Sequence, residues 1–308
     1  MALSYDQISA ITKRYFVPKF YDNVFDVSPL LKRIKGKSYQ KIGGGTSIIV
    51  PLEYAANGSV GWYAGEETLD TADTDIGTAA EYQWKQLYVN ISVKGIDELK
   101  NGGDAQVIDF VKVKVKNAEK TMEDYLGTGL YQTSSANPKS IIGLRAYAAS
   151  TSSTVGGISQ TDYSWWRPQV DTTTTTLTIA AMRNRVQAVS INNDSCSVIA
   201  TTDSLYSSFY GLLQPQQRFQ DEQTAKAGFS SLMFEGKPVL ADAYCPAQHM
   251  LFLNEEYLMF KVHKDRDMKF EPFMKPINQD VKSAKILWAG AFCSANGRQQ
   301  GAMTALTA

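Results

Sequence analysis

The chain has 308 residues, enough to bury a sizeable core in one or two lobes, and 44% of them are apolar and 20% charged. Its 31 basic and 31 acidic residues cancel to a formal net charge of +0, which excludes a global attraction to nucleic acid or to an anionic membrane. Three widely spaced cysteines, Cys196, Cys245 and Cys293, exclude a disulfide framework and fit no zinc or thioredoxin spacing, while no apolar run is long enough to span a membrane or serve as a signal peptide.

To about residue 41 the sequence is tilted basic, with Lys13, Arg14, Lys19, Lys32, Arg33, Lys35, Lys37 and Lys41 against Asp6, Asp22 and Asp26. It reads as an arm rather than a domain. Tyr15, Phe16, Phe20 and Tyr21 are its expected anchors on a protein surface, with stacking on nucleic-acid bases as the alternative use. Ser28-Pro29 ahead of Leu30, Leu31 and Ile34 supplies a cap, a proline at the first helical position and the apolar face of a short helix.

Gly43-Gly44-Gly45 lead into the apolar TSIIVPLEY; because a strand and not a helix follows, they match no phosphate-binding fingerprint and read as a hinge. Further on, in EYQWKQLYVNISV, Leu87, Val89, Ile91 and Val93 alternate with Tyr88, Asn90 and Ser92, which predicts a strand with one apolar face and Tyr82 and Trp84 on the other. Read as a single strand this stretch would extend ~43 Å at ~3.3 Å per residue. The intervening loop carries Glu66, Glu67, Asp70, Asp73, Asp75 and Glu81, with no Lys or Arg between Glu53 and Lys85. A two-stranded ribbon with so long a loop is marginal alone in water, so it is expected to lie on another subunit.

Gly102-Gly103-Asp104 open the clearest helix, DAQVIDFVKVKVKNAEKTMEDYL, expected to end at Gly127. Val107, Ile108, Val111, Val115, Ala118, Met122 and Leu126 fall on one stripe, and the helix would run ~35 Å at ~1.5 Å per residue. Lys112, Lys116 and Lys120 form an i, i+4 row on its outer side. That row is either a solvated face moderated by Glu119 and Glu123 or the track for a neighbour's acidic loop.

From about Gly129 to Phe234 the composition turns polar, with a helix expected at Ile179–Val189, a strand at Ser197–Thr201 and a helix after Thr202-Asp203, as in a small α/β lobe. After Gly236, VLADAY, HMLFLN, YLMFKV and KILWAGAF read as strands of one returning sheet covered by the long helix.

No set of residues meets the requirements of an active site. Cys245 and His249 are separated by Pro246 and have no orienting third group, so they read as strand-edge residues; His263 has no partner at metal spacing. Asp70, Asp73 and Asp75 offer oxygen ligands, but LDTADTDIGT lacks the glycine and terminal glutamate of a calcium loop. The expectation is no catalysis, no cofactor and no metal.

Arm, acidic ribbon, long helix, inserted polar lobe and returning sheet, in that order, resemble a tailed-bacteriophage major capsid protein of the Hong Kong 97 fold. The resemblance is carried by SPLLKRIKGKSYQKIGGGTSIIVPLEY, AAEYQWKQLYVNISVKGIDELKNGG, VKVKNAEKTMEDYLGTGLY, LLQPQQRFQDEQTAKAGFSSLMFEGKPVLADAYCP and FEPFMKPINQ with the later WAGA. It implies an α+β fold with an N-terminal arm (1–42), an extended E-loop and its base (43–97), the P-domain spine helix (98–130), an axial A-domain (131–235) and a returning P-domain sheet (236–308) whose last strand can join the A-domain. Gly236-Lys237-Pro238-Val239 would bring the chain back into the P-domain sheet.

The implied function is assembly through hexamers and pentamers into an icosahedral shell enclosing double-stranded DNA without sequence recognition, in a virion assembled in the host bacterial cytoplasm. Implied partners are other copies of the chain and a portal protein, with scaffolding and decoration proteins as further candidates and no membrane. Glu66, Glu67, Asp70, Asp73 and Asp75 would cross a neighbour's P-domain, with Lys112, Lys116 and Lys120 as part of the basic counterpart. No long helical segment precedes the arm in this sequence, so scaffolding would be separate or unnecessary. Lys85, at the ribbon's base, is badly placed for the lysine–asparagine cross-link of some relatives. The alternative is an encapsulin-like compartment of the same fold.

Overall fold

The computed structural model describes residues 28–96, 110–133, 137–217, 232–276 and 279–307. The expected anchors Tyr15, Phe16, Phe20 and Tyr21, and the start of the long helix with Val107 and Ile108, lie outside the described residues. The chain divides into two compact units. The described part of the first comes from Tyr88–Met122 and Phe270–Ile286, and that of the second from Asp26–Leu87, Glu123–Lys269 and Leu287–Ala308.

In chain order the elements are α1 (Pro29–Lys37), β1 (Tyr39–Ile42), β2 (Ile48–Glu53), β3 (Gly77–Tyr82), β4 (Lys85–Lys94), α2 (Phe110–Leu130), α3 (Leu144–Ala148), β5 (Thr154–Val155), β6 (Ile158–Ser159), β7 (Gln169–Asp171) and β8 (Thr175–Thr176). There follow α4 (Ile179–Val189), β9 (Val198–Thr201), α5 (Asp203–Gln217), β10 (Leu232–Phe234), β11 (Lys237–Ala241), β12 (Met250–Leu253), β13 (Leu258–His263), β14 (Lys269–Met274), β15 (Val281–Ser294), β16 (Gly301–Met303) and β17 (Leu306–Thr307). Helices and mostly antiparallel strands are mixed as in an α+β fold.

In the second unit, a six-stranded sheet runs in the order β10-β11-β9-β12-β16-β7. Its core packs Met182, Val186 and Val189 of α4 and Leu205 and Phe209 of α5 with Ile199, Phe234, Val239, Met250, Phe252 and Met303 from the strands. The Thr178 hydroxyl caps α4 by accepting from the Ala181 amide, so cap and apolar spacing agree on where this helix starts. Burying a large apolar side chain such as Phe209 or Phe252 contributes about 1.5–3 kcal/mol.

The Glu235-Gly236 turn departs from the expected return. Both residues have positive φ, 48° and 76°, which a two-residue type I′ hairpin requires, and Phe234 faces Lys237 across it. The turn therefore folds β10 onto β11 inside the six-stranded sheet, where β11 also lies parallel to β9. β12 and β16 join the same sheet, so the segments after Gly236 are shared between two sheets and do not form one. A second set of strands places β1 parallel to β13 and β13 antiparallel to the end of β15, from Leu258 opposite Ser294 to Val262 opposite Gly290. Against it Tyr147, Phe292 and Phe260 pack ring to ring, with the Tyr147 hydroxyl donating to the Phe292 carbonyl at 2.6 Å.

The stretch expected as one long strand is two. β3 pairs with β2 in an antiparallel ribbon from Ile48 opposite Tyr82 to Glu53 opposite Gly77, and the ladder breaks at Gln83-Trp84 before β4 begins. The break resets the alternation: Leu87, Val89, Ile91 and Val93 face inward as expected, whereas Tyr82 is buried and its hydroxyl donates to the Ser294 carbonyl at 2.7 Å.

In the first unit β4 and β14 pair with β15, and the Gly95 amide donates to the Asp280 carbonyl at 3.0 Å. α2 continues past Gly127 to Leu130, because buried Leu126, Leu130 and Tyr131 hold its last turn. That burial outweighs the roughly 1 kcal/mol cost of a helical glycine.

Candidate functional site

The ribbon β2–β3 carries a loop, residues 54–76, that is ordered by polar bonds while burying almost nothing. The Tyr54 amide donates to the Ile76 carbonyl at 3.0 Å, the Ser59 hydroxyl to the Ala72 carbonyl at 2.7 Å, and the Ala72 amide to Asp70 Oδ1 at 2.9 Å. Glu66, Glu67, Asp70, Asp73 and Asp75 are all exposed, and none forms an ion pair within the described residues. Val60, Trp62, Tyr63 and Leu69 are exposed as well, Trp62 completely. Sequence reasoning found the carboxylates and passed over VGWY, whose apolar density on a polar loop was the available signal. Contiguous exposed apolar groups of this kind mark a surface that something else covers.

The root of the loop is fixed. Tyr54 stacks on Trp165, ring centroids 5.2 Å apart at 20°, and Trp165 in turn contacts Tyr163 and Trp166. The Gly44 and Gly45 φ angles of 131° and 125° lie where glycine is favoured, at the bend between β1 and β2 that sequence reading took for a hinge.

On α2, Lys112, Lys116 and Lys120 stand exposed in one row. They belong to the first unit and the acidic loop to the second. Glu123, expected to moderate this row, instead lies 3.6 Å from Lys35 of α1.

α1 is secured by two carboxylates from distant segments, Asp242 and Glu255. Ser28 Oγ accepts from the Leu31 amide, capping the helix, and donates to Asp242 Oδ2 at 2.5 Å, where the Tyr131 hydroxyl also donates at 3.0 Å. Glu255, 1% exposed, receives Arg33 Nε at 2.5 Å, Lys37 Nζ at 2.8 Å and the Ser197 hydroxyl at 3.0 Å. Burial alone would raise the Glu255 carboxyl, but the hydrogen bonds from Arg33, Lys37 and Ser197, together with the Arg33 charge, outweigh it and hold the group below the usual carboxylate range. These carboxylates were missed because their partners on α1, Ser28, Arg33 and Lys37, lie more than two hundred residues away in sequence.

The thiol of Cys245 donates toward the His249 backbone carbonyl at 3.6 Å, not to its ring, and the ring Nδ1 lies 2.7 Å from the Ala247 carbonyl. Burial, with Asp242 nearby, pushes the Cys245 thiol up to about 12, and burial lowers the His249 imidazole. Such a pair offers no thiolate and no oriented base. Among the described residues no cluster of His, Cys, Asp or Glu is arranged to hold a metal, and no helix is long and apolar enough to cross a membrane.

The fold is that of the Hong Kong 97-type capsid proteins. Over essentially its whole length the chain superimposes on the capsid subunit of cyanophage A-1(L), with a TM-score of 0.75, 18% identity and coverage of 99% of this chain and 100% of that one. The capsid of a native GTA particle matches at TM-score 0.72 and 10% identity, covering 99% and 100%; the holo-encapsulin of Synechococcus elongatus matches at 0.63 and 10%, covering 99% and 96%. No curated protein sequence matches. The family model of the SU10 major capsid protein matches residues 81–303, and the chain belongs to that family. It is a major capsid protein, a structural component of the virion that associates with copies of itself.

Proposed function

We propose that copies of the chain form hexamers and pentamers that close into an icosahedral shell around double-stranded DNA, with the loop 54–76 reaching across a neighbouring subunit. The observation that carries this reading is the loop itself, which exposes five carboxylates and a fully solvated Trp62 on a ribbon too slender to need them for its own stability. In this reading residues 43–97 are the E-loop and its base, 98–130 the spine helix of the P-domain, and the six-stranded sheet with α4 and α5 the core of the axial A-domain. Tyr15, Phe16, Phe20 and Tyr21 are the arm's anchors in this reading, and Asp242 at Ser28 and Glu255 at Arg33 and Lys37 fix α1, the helix that follows the arm. Glu66, Glu67, Asp70, Asp73 and Asp75 cross a neighbour's spine helix, with Lys112, Lys116 and Lys120 as part of the basic counterpart.

The net charge of +0 suits a wall that confines DNA and need not bind it. No catalytic role accompanies assembly, which takes place in the host cytoplasm and closes around a portal protein. Many weak contacts summed over a closed lattice make the shell stable. Reversing Lys116→Glu and Lys120→Glu should abolish particles and leave a monomer with wild-type circular dichroism. Normal shells from that variant would refute the pairing. Nucleic acid co-purifying with particles supports a genome container, whereas a protein cargo points to an encapsulin-like compartment.

A further inference from the structure

An open cavity of about 580 Å³ in the second unit is lined by Thr151, Ser164, Trp165, Arg167, Gln169 and Arg298, among others. Its two guanidinium groups are pre-positioned by backbone carbonyls: Arg167 donates through Nε to the Gln160 carbonyl at 2.7 Å and through Nη2 to the Thr161 carbonyl, and Arg298 donates through Nη1 to the Ala188 carbonyl at 2.6 Å. Neither forms an ion pair with a carboxylate among the described residues, and Asp171, at the end of β7, is already engaged by Arg185 at 3.1 Å. Each arginine thus keeps unspent N–H donors and an uncompensated charge beside an aromatic wall.

The same chain carries the complementary surface. The loop segment WYAGEE, Trp62 to Glu67, presents an indole and a phenol with two carboxylates, all exposed and without cationic partners among the described residues. We propose that the cavity of one copy receives the loop tip of a second copy, Trp62 and Tyr63 packing on the half-buried Trp165 while Glu66 and Glu67 pair with Arg167 and Arg298. The cavity has room for an indole and a carboxylate side chain together, and Arg matches carboxylates by bidentate geometry. A desolvated aromatic flanked by charge pairs is the composition of an interface hot spot. This assignment rests on the reading of the loop as an inter-subunit element and supplies a counterpart in addition to the lysine row of α2.

The test is a cross-link. Glu66→Cys and Ser164→Cys replace exposed residues, and the three native cysteines are buried, so the double variant should fold and react selectively. Assembled particles of the double variant, oxidised and run without reductant, should give a ladder of covalent oligomers that neither single variant gives. Particles that yield no ladder, or only an intramolecular bond, overturn the cavity assignment and leave the shell reading standing. If the unmodified chain forms no particles, alone or with its neighbouring gene products, both readings fall. As an independent arm, Glu66→Lys with Glu67→Lys should reduce assembly at least tenfold in subunit concentration, and an unchanged threshold would contradict the charge pairing.

Discussion

Tyr54 and Trp165 lie face to face, their ring centroids 5.2 Å apart and their planes within 20°, so the first residue of the exposed loop is tied to a segment more than a hundred residues later. The contact converts a slender ribbon into a loop with a defined exit angle. A stacked aromatic pair contributes about 0.5–1.5 kcal/mol beyond its burial. Trp165→Ala should therefore loosen residues 54–76, seen as faster limited proteolysis within that loop at unchanged circular dichroism, and Trp165→Phe should recover most of the protection. Equal cleavage rates in all three proteins would contradict a role for the stack.

Glu255 makes a pH-dependent contribution. Its carboxyl is lowered in the folded state, so its stabilisation is present above the unfolded carboxylate value of ~4.3 and is lost as pH falls through the folded value. Because Arg33 and Lys37 stay partly solvated, Glu255→Gln should cost about 1–3 kcal/mol at neutral pH, less than breaking a fully buried pair. Urea midpoints of wild type and variant between pH 7 and 3 should converge on acidification. A gap that does not change with pH would be inconsistent with the ion pair.

Phe252 sits in the centre of the six-stranded sheet with no exposed surface. Phe252→Ala should destabilise the chain by about 3–5 kcal/mol in denaturant titration with little change in m-value. A loss below 1 kcal/mol would mean that this core is not tightly packed.

Gly156 and Gly157 give a contrast. Both have positive φ, 61° and 78°, but a Cβ on Gly156 would meet the Ala80 Cβ at 2.7 Å, whereas Gly157 faces open space. Gly156 also accepts the Glu81 amide at 2.9 Å, joining the β5–β6 hairpin to the base of the ribbon. Gly156→Val should lower the melting temperature well beyond Gly157→Asn, since asparagine tolerates this backbone region. Equal effects would show that close approach at Gly156 carries no cost.

Cys245→Ala should leave assembly unchanged and cost about 1 kcal/mol of stability, as for loss of a small buried group. Loss of particles from a well-folded Cys245→Ala protein would give this thiol a role that its burial denies.

What was legible in the sequence is what is local. Ser28 announces a helix start because cap and apolar face lie within one turn of each other, and Leu87 to Val93 announce a half-buried strand by alternation alone. The acidic loop was equally visible, because five carboxylates without an intervening cation need no partner to be noticed. Sheet membership was not legible. β11 sits beside β9 and β12 beside β16 through pairings of residues 239 with 199 and 252 with 301, which no window of sequence contains. The Glu255 clamp, the Tyr54–Trp165 stack and the Arg167–Arg298 cavity share that character. Each of their parts is an ordinary polar or aromatic residue until the fold brings them together.

The central claim is that this 34.0 kDa chain assembles with itself, and the most direct test is its particle mass in solution. Purified chain should be measured by light scattering, alone and with the products of neighbouring genes, with negative-stain images of the same samples. Megadalton shells or discrete five- and sixfold rings are expected. A monodisperse 34.0 kDa species in every mixture would contradict self-assembly.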